Sequence, residues 1–162
     1  LTQSLISKIF RLSKLNNIPI NIDPKFGDFS CFSHAHLLKP NMLEFQSVVG
    51  TWDTESDFIK VGNEIRKKLN LDLLLVTRGE KGCTLFDKSK SISMPTKEIK
   101  VHDVSGAGDT VVSTFTLAEL GGADGEEASF LANIAAGYVC GELGVTPVSV
   151  KNLTKSVKPY LT

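Results

Sequence analysis

The sequence has no surplus of charge: 18 Lys and Arg balance 18 Asp and Glu over 162 residues, a formal net charge of zero. Without excess positive charge there is no overall attraction to nucleic acid or to an anionic membrane. Long apolar runs are also missing. The longest, such as residues 73–76, fall far below the roughly 20 residues needed to span a bilayer. Cysteine is scarce. Cys31, Cys83 and Cys140 are odd in number and far apart, which argues against a disulfide framework and suits reduced thiols in the cytoplasm. No internal repeat, low-complexity stretch or linker interrupts the chain, so a single unit over 1–162 is expected. An initiator Met is absent too, and Leu1 in its place is the expected mark of a piece cut from something longer. What is present, 41% hydrophobic and 22% charged residues, is the balance of a globular protein with a buried core.

Periodicity places a helix over residues 5–15, ended by Asn16 and Asn17 ahead of Pro19. A β-branched strand over 18–22 closes on Asp23-Pro24, and a second strand over 35–38 closes on Lys39-Pro40-Asn41. A short helix over 43–49 stops at Gly50, and an amphipathic helix covers about 54–69. The most apolar strand, 73–77, leads into Arg78-Gly79-Glu80-Lys81-Gly82, followed by short strands at 83–86, 91–94 and 98–102. Helices over about 107–120 and 124–143, and a weaker one after Ser149, close the chain. This alternation predicts an α/β sandwich with a mostly parallel sheet, in which ligands bind at the carboxyl ends of the strands. Asp23, Lys25, Lys39, Asn41, Thr77 and Gly79 sit at those ends.

The segment Asp103-Val104-Ser105-Gly106-Ala107-Gly108-Asp109-Thr110 lies where a strand stops and an apolar helical pattern begins. Small residues there let a ligand approach the backbone. The first-turn N–H groups of a helix point outward with the positive end of its dipole behind them, which makes an anion site. A carboxylate in that turn, Asp109, stands within reach of a hydroxyl attacking a phosphoryl group held by those amides. A plainer reading stays open, in which the glycines only shape a turn and Asp109 only complements the dipole.

These residues carry a resemblance. Asp103 to Asp109 matches every fixed position of D-x-x-G-A-G-D, the C-terminal signature of the ribokinase (phosphofructokinase-B) family of sugar kinases. Lys39-Pro40-Asn41-Met42-Leu43-Glu44 resembles the family's K-P-N-x-x-E segment, Thr77 to Gly82 its T-x-G-x-x-G loop, and residues 131–136 its nucleotide-side helix. Ile22-Asp23-Pro24-Lys25 and the string from Val101 to Val112 look most like bacterial heptose 7-phosphate kinases, which feed ADP-heptose synthesis for lipopolysaccharide.

The resemblance implies a ribokinase-like three-layer α/β/α sandwich, of which this chain is the C-terminal, nucleotide-binding and catalytic portion. It implies ATP and Mg²⁺, and in parts of the family a monovalent cation such as K⁺. Asp109 is then the general base that takes the proton of the sugar hydroxyl, a role open to an ordinary ionised aspartate at pH 7. Gly106, Ala107 and Gly108 form the anion hole for the transferring phosphate. Lys39 is a point charge on the terminal phosphates, with an exposed lysine beside a turn as the plain alternative. Asn41 and Glu44 hold Mg²⁺ through water, or else are merely a helix cap with its first-turn acid. Thr77, Gly79 and Gly82 line the nucleotide or form an ordinary hairpin turn. Asn133 lies against the adenine or in a tightly packed helix of small residues, and Asp103 with Ser105 resembles the monovalent cation site.

Other residues carry less. His34 and His36 share a face if they lie on a strand, but no Cys or carboxylate completes a metal set. His102 is expected to be a packed loop residue and Trp52 a loop anchor. Ser113 departs from the glycine many members carry there. No Ser-His-Asp or Cys-His hydrolase arrangement can be built. The resemblance covers about half of a family member, and the sugar-binding strands belong to the other half. The expected partners are therefore ATP and a sugar phosphate, with self-association through an open strand edge or a homo-oligomer.

Overall fold

The computed structural model describes residues 2–25, 27–96 and 102–160. They fall into two compact units: Leu1–Thr77 with Thr84–Ser91, and Arg78–Cys83 with Ile92–Thr162.

The first unit opens with α1 (Gln3–Asn16), whose N-terminus is capped by the Thr2 side chain and which ends on Asn17 in the left-handed region. The expected strand over 18–22 is reduced to β1 (Asn21–Ile22), because Ile18 gives its N–H to Ser13 O in closing α1. A 3-10 turn at Phe29–Phe32 has no periodic signal in the sequence and takes the Ala35 N–H, so β2 is Leu37–Leu38 alone. Helix α2 (Met42–Val49) starts with a capping box between Asn41 and Glu44, and α3 (Glu55–Lys68) with one between Thr54 and Asp57. In each, side chain and backbone satisfy one another's orphan donors. Arg66, Lys67 and Lys68 complement the dipole at the end of α3.

β3 (Leu73–Thr77) follows, then β4 (Cys83–Phe86), as the sequence predicts. The strands lie side by side in the order β1, β2, β3, β4, with β1–β2 and β2–β3 parallel. Asn41, beyond the end of β2, bridges to Thr77, the last residue of β3. The core gathers Phe29, Leu38, Phe45, Phe58, Leu74, Val76 and Phe86, each contributing about 1.5–3 kcal/mol on full burial. Trp52 packs against Phe45 and Phe58, the loop anchor expected of it. Gly62 lets α3 approach the Phe86 ring, since a Cβ there would lie 2.2 Å from it.

His34 and His36 are not on a strand. His34 is exposed with φ of +69° and meets Asn70, while His36 pairs with Asp72 at 3.2 Å.

In the second unit a 3-10 turn (Gly79–Lys81) precedes β5 (Ser91–Met94), which begins at the last residue of the first unit. Of the strand expected over 98–102, residues 98–101 lie outside the described residues. Helix α4 (Ala107–Leu120) matches expectation, and α5 (Gly125–Cys140) stops three residues short of it, closed by Gly141 with Leu143 left exposed. Ala128, Ser129, Ala132 and Ala135 are buried on α5, and such small side chains let its principal neighbour α4 approach closely. Ser113 is exposed on α4. Helix α6 (Val150–Val157) is tied to α5 by Asn152 Nδ2 donating to Tyr138 at 2.6 Å, and Tyr160 meets Phe130 edge to face. Cys31, Cys83 and Cys140 are free thiols, and burial pushes Cys83 up to about 12. Among the described residues no helix is long and apolar enough to cross a membrane.

Candidate functional site

In the first unit the parallel register sets the carboxyl ends of β1, β2 and β3 beside one another. Lys39 N donates to Ile22 O at 2.8 Å, and Thr77 N donates to Pro40 O at 3.0 Å. Lys39-Pro40-Asn41 is thus fastened to β1 on one side and β3 on the other. The Lys39 ammonium lies 2.9 Å from Asp23 Oδ1, and its side chain is 3% exposed. The plain alternative of an exposed turn lysine is therefore wrong. Burial of an ammonium is tolerated only with a countercharge, and Asp23 supplies it. Lys25 approaches the other oxygen, Oδ2, at 3.2 Å from an exposed position.

Asn41 and Glu44 come together as a reciprocal cap. Glu44 N donates to Asn41 Oδ1 at 2.9 Å, and Asn41 N donates to Glu44 Oε2 at 2.8 Å. The cap reading is thus realised in the geometry. Glu44 is nevertheless buried, with one carboxylate oxygen given to the cap. A single acid and an amide oxygen suit Mg²⁺ held through water, because that ion keeps most of its hydration shell. No group of three or more His, Cys, Asp and Glu able to hold a metal directly is found among the described residues.

In the second unit Gly106 caps α4 in the left-handed region at φ of +79°, a conformation glycine adopts without penalty. Asp109 lies in the first turn and is exposed. Ala107 N donates to Val104 O at 3.2 Å, so of the three residues expected in the anion hole this one already gives its N–H to the loop. The first helical bond is Thr110 N to Gly106 O. That leaves Gly108 and Asp109 with the first-turn amides whose helical acceptors would precede the helix.

Asp103 Oδ1 accepts from Ser105 N at 2.8 Å, and hydrogen bonds from Ser105 hold that carboxyl below the usual range. An ionised carboxylate in a loop fits a monovalent cation by the chemistry of its oxygens. His102 and Asp103 lean on Cys140 O, and burial, reinforced by Asp103, raises the Cys140 thiol.

Gly79 has φ of +60°, and a Cβ on it would meet nothing within 4 Å. Gly82 is different. A Cβ on it would meet Met94 O at 2.0 Å, so it serves the close approach of the 94–96 segment. Asn133 Nδ2 donates to Pro95 O at 3.2 Å and more distantly to Met94 O, holding the same segment from α5. Asp23 is the residue whose part the sequence understates. Its signal was an acid after one parallel strand and a lysine after the next.

The family described as pfkB family carbohydrate kinase matches residues 3–152. The chain is 43% identical over 153 residues to the bifunctional protein HldE of Histophilus somni, covering 94% of this chain and 32% of that protein. Against HldE of Pasteurella multocida it is 42% identical, covering 96% and 33%. The chain spans about a third of the length of these curated relatives. Among solved structures, Escherichia coli phosphofructokinase-2 in complex with potassium superposes with a TM-score of 0.89 at 20% identity, over 100% of this chain and 54% of that one. Arabidopsis thaliana ribokinase complexed with ribose and ATP gives 0.85 at 24% identity, over 97% and 53%. The fold is ribokinase-like α/β.

Proposed function

We propose a function from one premise: the chain belongs to the pfkB family of carbohydrate kinases. Residues 1–162 are the nucleotide-binding and catalytic portion of a kinase domain that moves the γ-phosphate of ATP to a sugar hydroxyl. The acceptor is heptose 7-phosphate, giving the 1,7-bisphosphate for ADP-heptose and lipopolysaccharide core synthesis in the cytoplasm. The acceptor reading rests on the resemblance of the Asp23 and Asp109 segments and on the identity to HldE.

One observation carries the reaction type: the turn from Asp103 to Asp109, where left-handed Gly106 opens α4 and leaves Asp109 exposed in its first turn. Asp109 takes the proton of the sugar hydroxyl. The hydroxyl oxygen bonds to the γ-phosphorus, the bond from that phosphorus to the β-γ bridging oxygen breaks, and ADP leaves. Gly106, Ala107 and Gly108 surround the developing charge, with the Gly108 amide the best placed of the three. Lys39 faces the terminal phosphates. Asn41 and Glu44 hold the water shell of Mg²⁺, an ion that neutralises phosphate charge when bound. Thr77, Gly79, Gly82 and Asn133 line the nucleotide, the last two by shaping the 94–96 backbone. Asp103 and Ser105 form the K⁺ site, in keeping with the potassium bound to phosphofructokinase-2.

The test is Asp109→Asn, assayed with ATP and heptose 7-phosphate. ATP binding by calorimetry persists, while turnover falls by about 10²–10⁴. Undiminished turnover would sink the assignment.

A second reading is favoured by the coverage of 53–54% of the solved neighbours. The 162-residue chain by itself is a nucleotide-binding module, and catalysis needs the remaining half or a homo-oligomer. ATP binding without phosphorylation of any sugar, together with self-association in sedimentation, identifies this case.

A further inference from the structure

We infer that Asp23 is a positioning residue that fixes the Lys39 ammonium for the terminal phosphates, an inference that rests on the nucleotide-binding role proposed above. Three observations lead to it. First, β1 and β2 are parallel with Ile22 in register with Leu38, so Asp23 and Lys39 occupy the next rung, each immediately after its strand. The Lys39 N–H to Ile22 O bond carries the ladder on to that rung. Second, the pair is enclosed: the Lys39 side chain is 3% exposed and that of Asp23 14%, at 2.9 Å. A flexible four-carbon stem has many rotamers, and a fixed carboxylate selects one of them. Third, Asp23 is shared. Its second oxygen meets Lys25 at 3.2 Å, and the Lys25 side chain is 78% exposed.

The trio thus holds two ammonium groups on one carboxylate, a surplus of one positive charge within the trio itself. A polyanion arriving there finds one lysine already immobilised and a second on an exposed, movable stem. Asp23 is not a phosphate ligand, since its own charge repels phosphate. It acts through Lys39 by holding a buried ammonium in one orientation.

The experiment is a double-mutant cycle on the affinity of the chain for Mg–ATP, measured by calorimetry, with circular dichroism confirming the fold of each variant. Asp23→Asn weakens binding by about tenfold, the loss of one charge-assisted contact. Asp23→Glu recovers part of it, because the carboxylate is restored at a slightly different reach. In the Lys39→Met background, where no ammonium remains to be aimed, Asp23→Asn changes affinity by less than about twofold. A merely structural Asp23 would weaken binding equally in both backgrounds and gain nothing from Glu, and that result overturns the inference while leaving the kinase reading intact. If Asp23→Asn does not fold alone, the neutral pair with Lys39→Met and the Asp23→Glu variant decide it. No Mg–ATP binding by the unaltered chain overturns the nucleotide-binding reading and this inference with it.

Discussion

The strand ends of the first unit and the glycine turn of the second are both polar and both match a sugar-kinase motif, yet they are built in opposite ways. At the strand ends the protein engages its own charges. Lys39 is buried on Asp23, Glu44 is buried in a reciprocal cap with Asn41, and Pro40 O is held by Thr77. At the turn the protein holds back. Gly106 makes no side-chain cap, and Asp109 is exposed. A charge tied into the fold serves stability and aim together, whereas an exposed one at a helix start is available for chemistry.

The comparison breaks most sharply on a pair of alanine substitutions. Lys39→Ala leaves a largely enclosed carboxylate with only the exposed Lys25 beside it and should lower unfolding free energy by about 3 kcal/mol. Asp109→Ala should change it by less than about 0.5 kcal/mol, as for a surface site. Denaturant titration of both variants checks this, and equal losses would erase the distinction. Next in size are the loop glycines. Gly82→Ala puts a Cβ 2.0 Å from Met94 O at φ of +79°, and backbone cannot give way cheaply, so about 2–3 kcal/mol is expected. Gly79→Ala, at φ of +60° in open space, should cost only about 1 kcal/mol, visible as a smaller drop in Tm.

Smaller again is Asn41→Ala, which removes one arm of the α2 cap and should cost about 1 kcal/mol by chemical denaturation. The smallest effect is in acid. Ser105 holds the Asp103 carboxyl low in the fold, so its contribution is present above the ordinary value of about 4 and fades as pH falls through the lower folded value. Asp103→Asn should therefore flatten the stability profile below about pH 4, followed by thermal melts, without changing its shape near neutrality. An unchanged acid limb would show that the Asp103–Ser105 turn is not formed in solution.

The long elements were legible. The stripe of Leu5, Ile6, Ile9 and Phe10 became α1, the apolar run at 73–77 became β3, and Ala107 to Leu120 became α4 residue for residue. Their periods repeat enough times to outweigh local noise. The short ones were not. Phe29–Phe32 forms a 3-10 turn without periodicity, and β1 lost Ile18 to a backbone bond that closes α1. Residue identities at the candidate site were legible as motifs, but their states were not: Lys39 beside Pro40-Asn41 reads equally as a loop lysine, and Gly82 as one more turn glycine.

By itself the sequence determined the order of the long helices and strands, the α2 cap at Asn41 and the D-x-x-G-A-G-D turn, because each depends on residues within a few positions of one another. The tertiary structure alone decided that Asp23 neutralises Lys39 across 16 residues of chain and that Gly82 and Asn133 grip the backbone at 94–96. Those pairings depend on which strands lie side by side and in what register, and a partner's distance in space is not written in its distance along the chain.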